Sequence, residues 1–320
     1  MNNSDRALVL GHRGLVGSAF VRALTARGQR NLVLAGRSDC DLRDASSVST
    51  LFADTRPAVV ILAAARVGGI QANRTRPAEF IYDNLAIQTN VIHACHVHAA
   101  KRLVFLGSSC IYPRECRQPM REEYLLTGPL EPTNEGYAVA KIAGLKMAQM
   151  YQEQYGLDVL CPVPCNLYGP GDSFDLETSH VLTALVRRFS DAALEGRDEL
   201  TLWGTGSARR EFLHVDDMVR ACLLLLDRWR TPGIVNVGAG TDVSIGELAT
   251  LIARVTGFSG EIRWDSSMPD GMPRKCLDIS RLASLGFRPE IDLELGVRRM
   301  IAEYARRYQD AGAGDAGGAV

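Results

Sequence analysis

Ala7-Leu8-Val9-Leu10-Gly11-His12-Arg13-Gly14-Leu15-Val16-Gly17 decides the fold. Four apolar residues make a short strand, and glycines 11, 14 and 17 fall where that strand hands over to a helix. Leu15, Phe20, Ala23 and Leu24 then recur at helical spacing as far as Arg27. A strand, a glycine turn and a helix in that order bind anions. The glycines let the backbone approach a pyrophosphate, and the helix N-terminus offers free amides and a positive dipole. The spacing is Gly-x-x-Gly-x-x-Gly rather than Gly-x-Gly-x-x-Gly, so the triplet gains its weight from its place in the chain.

Outward from this turn, strands and helices alternate. Residues 31–35 form a second strand and 58–64 a third, wholly apolar, as a parallel strand covered on both faces requires. A long helix is predicted over 78–100 and a strand over 102–107, running into Ser108-Ser109-Cys110. A helix over 137–155 precedes a strand over 158–163. Repeated βα units predict an α/β fold, a doubly wound parallel sheet of the Rossmann type with right-handed crossovers. Beyond Asn166 the alternation breaks at Gly169-Pro170-Gly171. Residues 1–165 are therefore expected to be mainly the dinucleotide-binding domain. Residues 166–309 should be mainly a smaller α/β substrate-binding cap, with a return to the sheet near 233–237. Residues 310–320, rich in Gly, Ala and Asp, are expected to be a disordered tail.

Composition narrows the function. Net charge is -1, and the pairs Arg209-Arg210 and Arg306-Arg307 are too short and too far apart for a nucleic-acid stripe. No apolar run nears the ~20 residues that span a bilayer. Residues 1–6 are polar and unlike a signal peptide, so a cytoplasmic protein is expected. The eight scattered cysteines read as free thiols. Cys161 and Cys165, four apart on an extended segment, sit roughly 13 Å from each other, too far for a disulfide. His93, His96 and His98 have no Cys or Glu to complete a metal site, so no metal is expected.

The second strand ends Ala35-Gly36-Arg37-Ser38, without the acid that accepts from a ribose hydroxyl in NAD sites. Asp39 is expected to lie beyond the ribose. Arg37, helped by Arg13, suits a 2′-phosphate through charge-assisted bonds, which points to NADP(H). Tyr137 and Lys141, four apart on a helix, share one face. The ammonium is expected to lower the phenol's pKa and to bind the nicotinamide ribose, while Ser108 shares a substrate oxygen with Tyr137.

With Gly107-Ser108-Ser109-Cys110-Ile111-Tyr112-Pro113, these motifs resemble the extended short-chain dehydrogenase/reductases. Within them, Val67-Gly68-Gly69-Ile70, Glu131-Pro132-Thr133-Asn134-Glu135, Arg210-Glu211-Phe212-Leu213-His214 and Pro269-Asp270-Gly271 resemble the GDP-L-fucose synthase family. The resemblance covers nearly the whole chain apart from the tail. It implies NADPH-dependent epimerisation beside the C4 ketone of a GDP-keto-sugar, followed by reduction at C4. It assigns catalysis to Ser108, Cys110, Tyr137, Lys141 and His180, with Cys110 and His180 moving the protons. Cofactor contacts are implied at Gly11, Arg13, Gly14, Leu15, Val16, Gly17, Arg37, Leu106, Gly107, Lys141, Pro164, Asn166, Leu167 and His180. Nucleotide-sugar contacts are implied at Arg188, Trp203, Arg210 and Asp270, although Trp203 suits a core position equally well. A homodimer joined through two long helices per subunit follows from the same resemblance.

Thiol and imidazole suit proton transfer near neutrality, with ordinary pKa values of about 8.5 and about 6.5. Three alternatives stay open: a relative acting on a GDP-keto-heptose, a nucleotide-sugar 4-epimerase or dehydratase with held NAD, and a non-catalytic redox-sensing regulator. The absent acid disfavours the second, and the retained Tyr137/Lys141 pair disfavours the third.

Overall fold

The structure, a computed structural model, describes residues 4–176, 179–268 and 270–315. Strands β1 (Ala7–Leu10), β2 (Leu32–Ala35), β3 (Val59–Leu62), β4 (Arg102–Phe105) and β5 (Asp158–Pro164) alternate with helices. These helices are α1 (Leu15–Ala26), α2 (Ala45–Thr55), α3 (Ile70–Thr75), α4 (Pro77–Val97) and α5 (Glu135–Tyr155). The second half begins with β6 (Asn166–Tyr168), α6 (Val181–Leu194), β7 (Glu199–Trp203), β8 (Arg209–Arg210), β9 (Phe212–His214), α7 (Val215–Arg228) and β10 (Ile234–Val237). It ends with β11 (Val243–Ser244), α8 (Ile245–Thr256), β12 (Glu261–Asp265), β13 (Arg274–Lys275), α9 (Ser280–Ser284) and α10 (Leu293–Asp315).

Six strands form one parallel sheet in the order β10-β5-β4-β3-β1-β2, so the fold is doubly wound. Leu10 stands level with Ala35 and with Leu62, which aligns the carboxyl ends of the strands on one edge. Strand order reverses between β1 and β3, and the crevice beyond that point is where such sheets bind ligands. β1, β3 and β4 are buried along their whole length; β1 and β3 are unbroken apolar runs, and β4 is apolar after Arg102, whose guanidinium donates to the Leu226 carbonyl at 2.6 Å. Each fully buried Leu, Ile or Phe here stabilises the fold by about 1.5–3 kcal/mol. Pro162 and Pro164 are tolerated in an inner strand because β4 pairs only with residues 158–160. The prolines lie past that ladder, opposite β10.

A second apolar core gathers Phe189 of α6, Leu202 of β7, Leu248 and Ile252 of α8, and Met300 of α10. The sheet layer and this cap thus have separate cores, and the crevice lies where they meet. Sequence patterning predicts no element at 45–55, yet α2 is there. Asp44 caps it by accepting from the Ser46 and Ser47 amides, while Val48 and Phe52, one turn apart, are buried. α10 runs to Asp315, past the 309 boundary expected for the start of a disordered tail; residues 316–320 lie outside the described residues.

α5 lies close against α4 and the sheet, and two glycines make this possible. A Cβ on Gly136 would meet the Pro77 carbonyl oxygen at 3.0 Å. One on Gly144 would strike the Phe105 ring and come within 2.5 Å of Gln88 Oε1. Gln88 in turn donates to the Ala140 carbonyl at 2.6 Å, so it has little room to yield. Gly144→Ala should therefore destabilise the protein by about 1–3 kcal/mol through overpacking. This outweighs the roughly 1 kcal/mol gained in helix propensity. Urea unfolding checks it, and a variant more stable than the parent contradicts the packing described.

Candidate active site

The phosphate-binding turn is built by steric exclusion. Gly11 has φ +83, and a Cβ there would meet the Ala64 amide nitrogen at 2.7 Å. A Cβ on Gly17 would overlap the Gly11 carbonyl, so α1 starts close against the strand only with glycine at both places. The Gly14 amide donates to Gly11 O at 3.1 Å, and Gly14, the N-cap of α1, has no side chain to occupy the first-turn amides led by Leu15 and Val16. Those amides are free for an anion. The Gly169–Gly171 loop closes over them, since a Cβ on Gly171 would lie 3.0 Å from Ser18 Oγ. The buried His12 Nδ1 has no partner. This cradle fits the pyrophosphate of a dinucleotide.

At the tip of β2, Asp39 folds back, and its Oδ2 accepts from the Gly36 amide at 2.8 Å. A Cβ on Gly36 would find Asp39 Oδ2 at 3.4 Å and Arg13 Cζ at 3.9 Å, so the Arg13 guanidinium reaches the same strand tip. Arg37 is exposed next to it. The carboxylate is engaged by backbone while two cations remain, a donor set that fits a 2′-phosphate.

Ser108 leaves β4 in extended conformation and caps a short 3-10 turn, its Oγ accepting from the Cys110 amide at 3.3 Å. The Ser108 hydroxyl lies close enough to the side chains of both Tyr137 and Cys110 to pull the pKa of each downward. Lys141 Nζ donates to the Leu106 carbonyl at 3.0 Å and lies 5.9 Å from the Tyr137 ring centroid. Gly107 continues the same backbone, donating to Pro162 O at 2.8 Å.

The lysine does not tune the phenol as expected. Burial raises Tyr137 above its ordinary value, the neighbouring Cys110 charge adds to this, and the Ser108 bond offsets it only partly. Burial also lowers Lys141 to about 8. In a dry pocket the cost of forming phenolate exceeds the help from a cation held on a backbone carbonyl. Burial therefore favours the protonated phenol at Tyr137.

Cys110 behaves oppositely. Burial pushes its thiol up, but Lys275, Ser108 and Asn134 together bring it below the ordinary thiol value. Lys275 Nζ lies 3.3 Å from the sulfur and Asn134 Nδ2 lies 3.2 Å from it. His180 is the exposed N-cap of α6. Its neighbour Ser179 places a carbonyl 3.2 Å from where a Cβ on Gly69 would be, so this segment borders the loop after β3. Among the described residues no hydrogen bond joins His180 to Cys110, Ser108 or Tyr137.

On the cap side, Arg210 is partly buried and donates to Arg209 O and Asp270 O at 2.8 and 3.1 Å. Burial lowers its pKa, while the nearby Cys110, Asp270 and Glu131 oppose that shift. A Cβ on Gly271 would sit 3.4 Å from Arg210 Nη2 and from Ile70 Cδ1, which ties this loop to the crevice. The Asp270 carboxylate itself accepts from Thr205 N and Thr205 Oγ1, both at 2.8 Å, so it shapes the loop that holds Arg210. Arg188 donates to Thr201 O at 2.5 Å. Trp203, at 58% exposed, is not core and offers an open indole face. Pro164 is buried at the end of β5, Asn166 Nδ2 donates to Glu211 O at 2.9 Å, and Leu167 is partly buried beside it.

Three residues of the site carry no role in the sequence expectations: Lys275, Asn134 and Glu211. Lys275 reaches the crevice because β13 pairs with β8, with Lys275 opposite Arg210, a contact that no sequence spacing announces. Glu211 is wholly buried and accepts from Gly240 N at 2.6 Å and Leu277 N at 2.8 Å, organising the loops behind Arg210. Burial raises it to about 7, against the pull of those amides. His93 bonds Tyr151 OH at 3.0 Å and His96 stacks on Tyr155, so both pack against aromatic side chains of α5. All eight cysteines are free.

Comparison with known proteins agrees with this geometry. Residues 7–238 match the model of the NAD dependent epimerase/dehydratase family. GDP-L-fucose synthase 1 of Arabidopsis thaliana is 52% identical over 305 residues, covering 95% of this chain and 94% of that protein. Among solved structures, a GDP-6-OMe-4-keto-L-xylo-heptose reductase from C. jejuni superposes with TM-score 0.90 at 35% identity, over 96% of this chain and 99% of that one. A GDP-L-fucose synthetase from Naegleria fowleri, bound to NADP, gives 0.88 at 26% identity over 97% and 96%.

Glu211 yields a stability test. Its folded pKa of about 7 lies above the ordinary glutamate value, so folding takes up a proton between the two. That contribution is fully present below the unfolded pKa and is lost as pH rises through the folded one. The melting temperature of the parent relative to Glu211→Gln should therefore be higher at about pH 5 than at about pH 8. A difference that does not change with pH contradicts the assignment.

Proposed function

The chain belongs to the NAD dependent epimerase/dehydratase family, and from that premise we propose that it converts GDP-4-keto-6-deoxy-D-mannose to GDP-L-fucose. C3 and C5 are epimerised, and the C4 ketone is then reduced with NADPH. The observation that carries this is a second acid/base beside the reductase set: Cys110, whose amide bonds Ser108 Oγ and whose sulfur meets Lys275 and Asn134. A simple ketone reductase needs Ser108, Tyr137 and Lys141 and has no use for an ionisable thiol next to them. The extent of identity to a GDP-L-fucose synthase supports the substrate class.

The ketone oxygen sits between the Ser108 and Tyr137 hydroxyls. Cys110 as thiolate takes a proton from the carbon beside the ketone. The C–H bond breaks, an S–H bond forms, and the electron pair moves onto O4, where the two hydroxyls stabilise it as enolate. His180, on the segment bordering the loop after β3, returns a proton to the other face and inverts the carbon. When bound, NADPH supplies the hydride to C4, and Tyr137, held protonated by its burial, gives O4 its proton. Lys141 steadies the backbone at Leu106 and faces the ribose site. Gly11, Gly14 and Gly17 cradle the pyrophosphate, and Arg13 and Arg37 hold the 2′-phosphate. Arg188 and Arg210 grip the diphosphate, Trp203 stacks on the nucleoside, and Asp270 fixes the Arg210 loop.

In this division of labour residues 1–165 mainly bind the cofactor and 166–309 mainly the sugar nucleotide. Tyr82 and Val97 of α4, with Met150 and Tyr155 of α5, form an exposed apolar face suited to a two-fold partner, and we assign it to a homodimer. Free thiols suit the cytoplasm. No helix among the described residues is long and apolar enough to cross a membrane. A second reading, a GDP-keto-heptose epimerase/reductase, is favoured by the likeness to the C. jejuni reductase. A 4-epimerase or dehydratase with held NAD is disfavoured, because Asp39, the first acid after β2, is engaged by the Gly36 amide.

NMR of the product formed from GDP-4-keto-6-deoxy-D-mannose and NADPH decides between them. The expected product is GDP-L-fucose, and a reduced sugar that keeps the D-manno configuration at C3 and C5 contradicts the assignment. Arg37→Ala should cut the preference for NADPH over NADH in kcat/KM by about tenfold or more, through loss of a charge-assisted phosphate contact. An unchanged ratio removes Arg37 from the cofactor site.

A further inference from the structure

We propose that Lys275, assisted by Asn134, is a positioning residue that holds the Cys110 sulfur as a thiolate in the resting enzyme. This rests on the reading of Cys110 as the epimerisation base and extends it to residues that act through the thiol.

Geometry carries the inference. The Lys275 ammonium, 3.3 Å from the sulfur, is a donor only, as is the Asn134 amide nitrogen at 3.2 Å, and the Ser108 hydroxyl meets the same sulfur. A neutral thiol is a weak acceptor, whereas a thiolate is the species that two converging donors, one of them charged, select. Among the described residues no carboxylate pairs with Lys275; its acceptor is Cys110. The contrast with its neighbours is informative. Arg274, the preceding residue, and Arg209, its partner across the strand pair, both bind the Asp242 carboxylate, which is buried. The local acid is thus engaged by the arginines, and Lys275 faces the sulfur.

The remaining groups around the thiol agree with this. From β8, Arg210 adds positive charge. From α5, Tyr137 stays protonated and contributes none. Glu131, at the start of the segment that carries Asn134, is turned to Thr133, with its Oε1 accepting from Thr133 N and Oγ1 at 3.3 and 3.0 Å. Cys116 also lies within range of Lys275. Burial, which opposes any charge here, is outweighed at Cys110 alone among the cysteines with a resolved shift. Cys40, Cys95, Cys116, Cys161, Cys165, Cys222 and Cys276 are all pushed up.

A functional requirement is met in this way. The base must be ionised while the phenol beside it is not, and one cation placed on the sulfur side separates the two. Lys275 comes from the same short sheet as Arg210, so the strands that hold the nucleotide-binding arginine also deliver the cation to the thiol.

The test is the rate of iodoacetamide labelling of Cys110 in the whole protein across pH, read by mass spectrometry of the Cys110 peptide. Lys275→Met should slow labelling near neutral pH by about tenfold and move the midpoint upward, since removing an adjacent charge favours the thiol. Lys275→Arg should keep the low midpoint, and Asn134→Ala should move it upward by less than Lys275→Met. Labelling in Lys275→Met at the parent's rate and midpoint overturns the proposal, as does a midpoint in Lys275→Arg as high as in Lys275→Met. Circular dichroism of each variant establishes that the folded protein is being read. No sugar nucleotide is needed, so a different substrate leaves this outcome unchanged. A thiolate held by other means would alter the labelling outcome and leave the product the same.

Discussion

Tyr137 and Cys110 meet one hydroxyl, that of Ser108, in a pocket whose burial opposes charge on both. Left to desolvation alone, phenol and thiol would both be neutral at physiological pH. Epimerisation followed by reduction needs one of them ionised and the other protonated. The asymmetry is supplied from outside the pocket by Lys275 and Asn134, which reach the sulfur and not the phenol. The rest of the molecule can be understood as what it takes to bring these groups together from three distant parts of the chain.

The parallel sheet supplies two of them. β4 ends at Phe105, level with the neighbouring strands, so Ser108 and Cys110 emerge at the crevice edge. α5 presses against β4 through Gly144 and thereby presents Tyr137 and Lys141. Asn134 comes from the turn before α5, and Lys275 from the β8/β13 pairing of the cap. The cofactor cradle stands on the same edge, because β1 and its glycine turn lie at the reversal of strand order. The glycine cradle, the Ser108/Tyr137 pair and Cys110 thus converge without any one segment carrying them all.

What the sequence reveals follows from how local each determinant is. The glycine turn, the buried strands and the Tyr137/Lys141 spacing are set within a few residues, and they predict the sheet and its edge. α2 is not legible because serines at its start resemble a loop, and only the Asp44 cap with Val48 and Phe52 marks it. The position of Asp39 depends on a backbone amide three residues back, and the pKa of Tyr137 depends on burial by the whole domain, so neither follows from spacing. Lys275 is 165 residues from Cys110 and meets it only once the cap folds. Glu211 is visible as part of a motif, but its burial and its amide donors are properties of the assembled loops.

In the proposed reaction Cys110 removes the proton beside the ketone while Ser108 and Tyr137 hold the oxygen. Solvent exchange addresses this directly when Cys110→Ser is incubated with GDP-4-keto-6-deoxy-D-mannose in heavy water, without NADPH, and deuterium at C3 and C5 is followed by NMR. Loss of a general base predicts exchange slowed by a factor of about 10² or more, with ketone reduction retained once NADPH is added. Deuterium entering at the parent's rate would contradict the account and move the proton transfer to another residue.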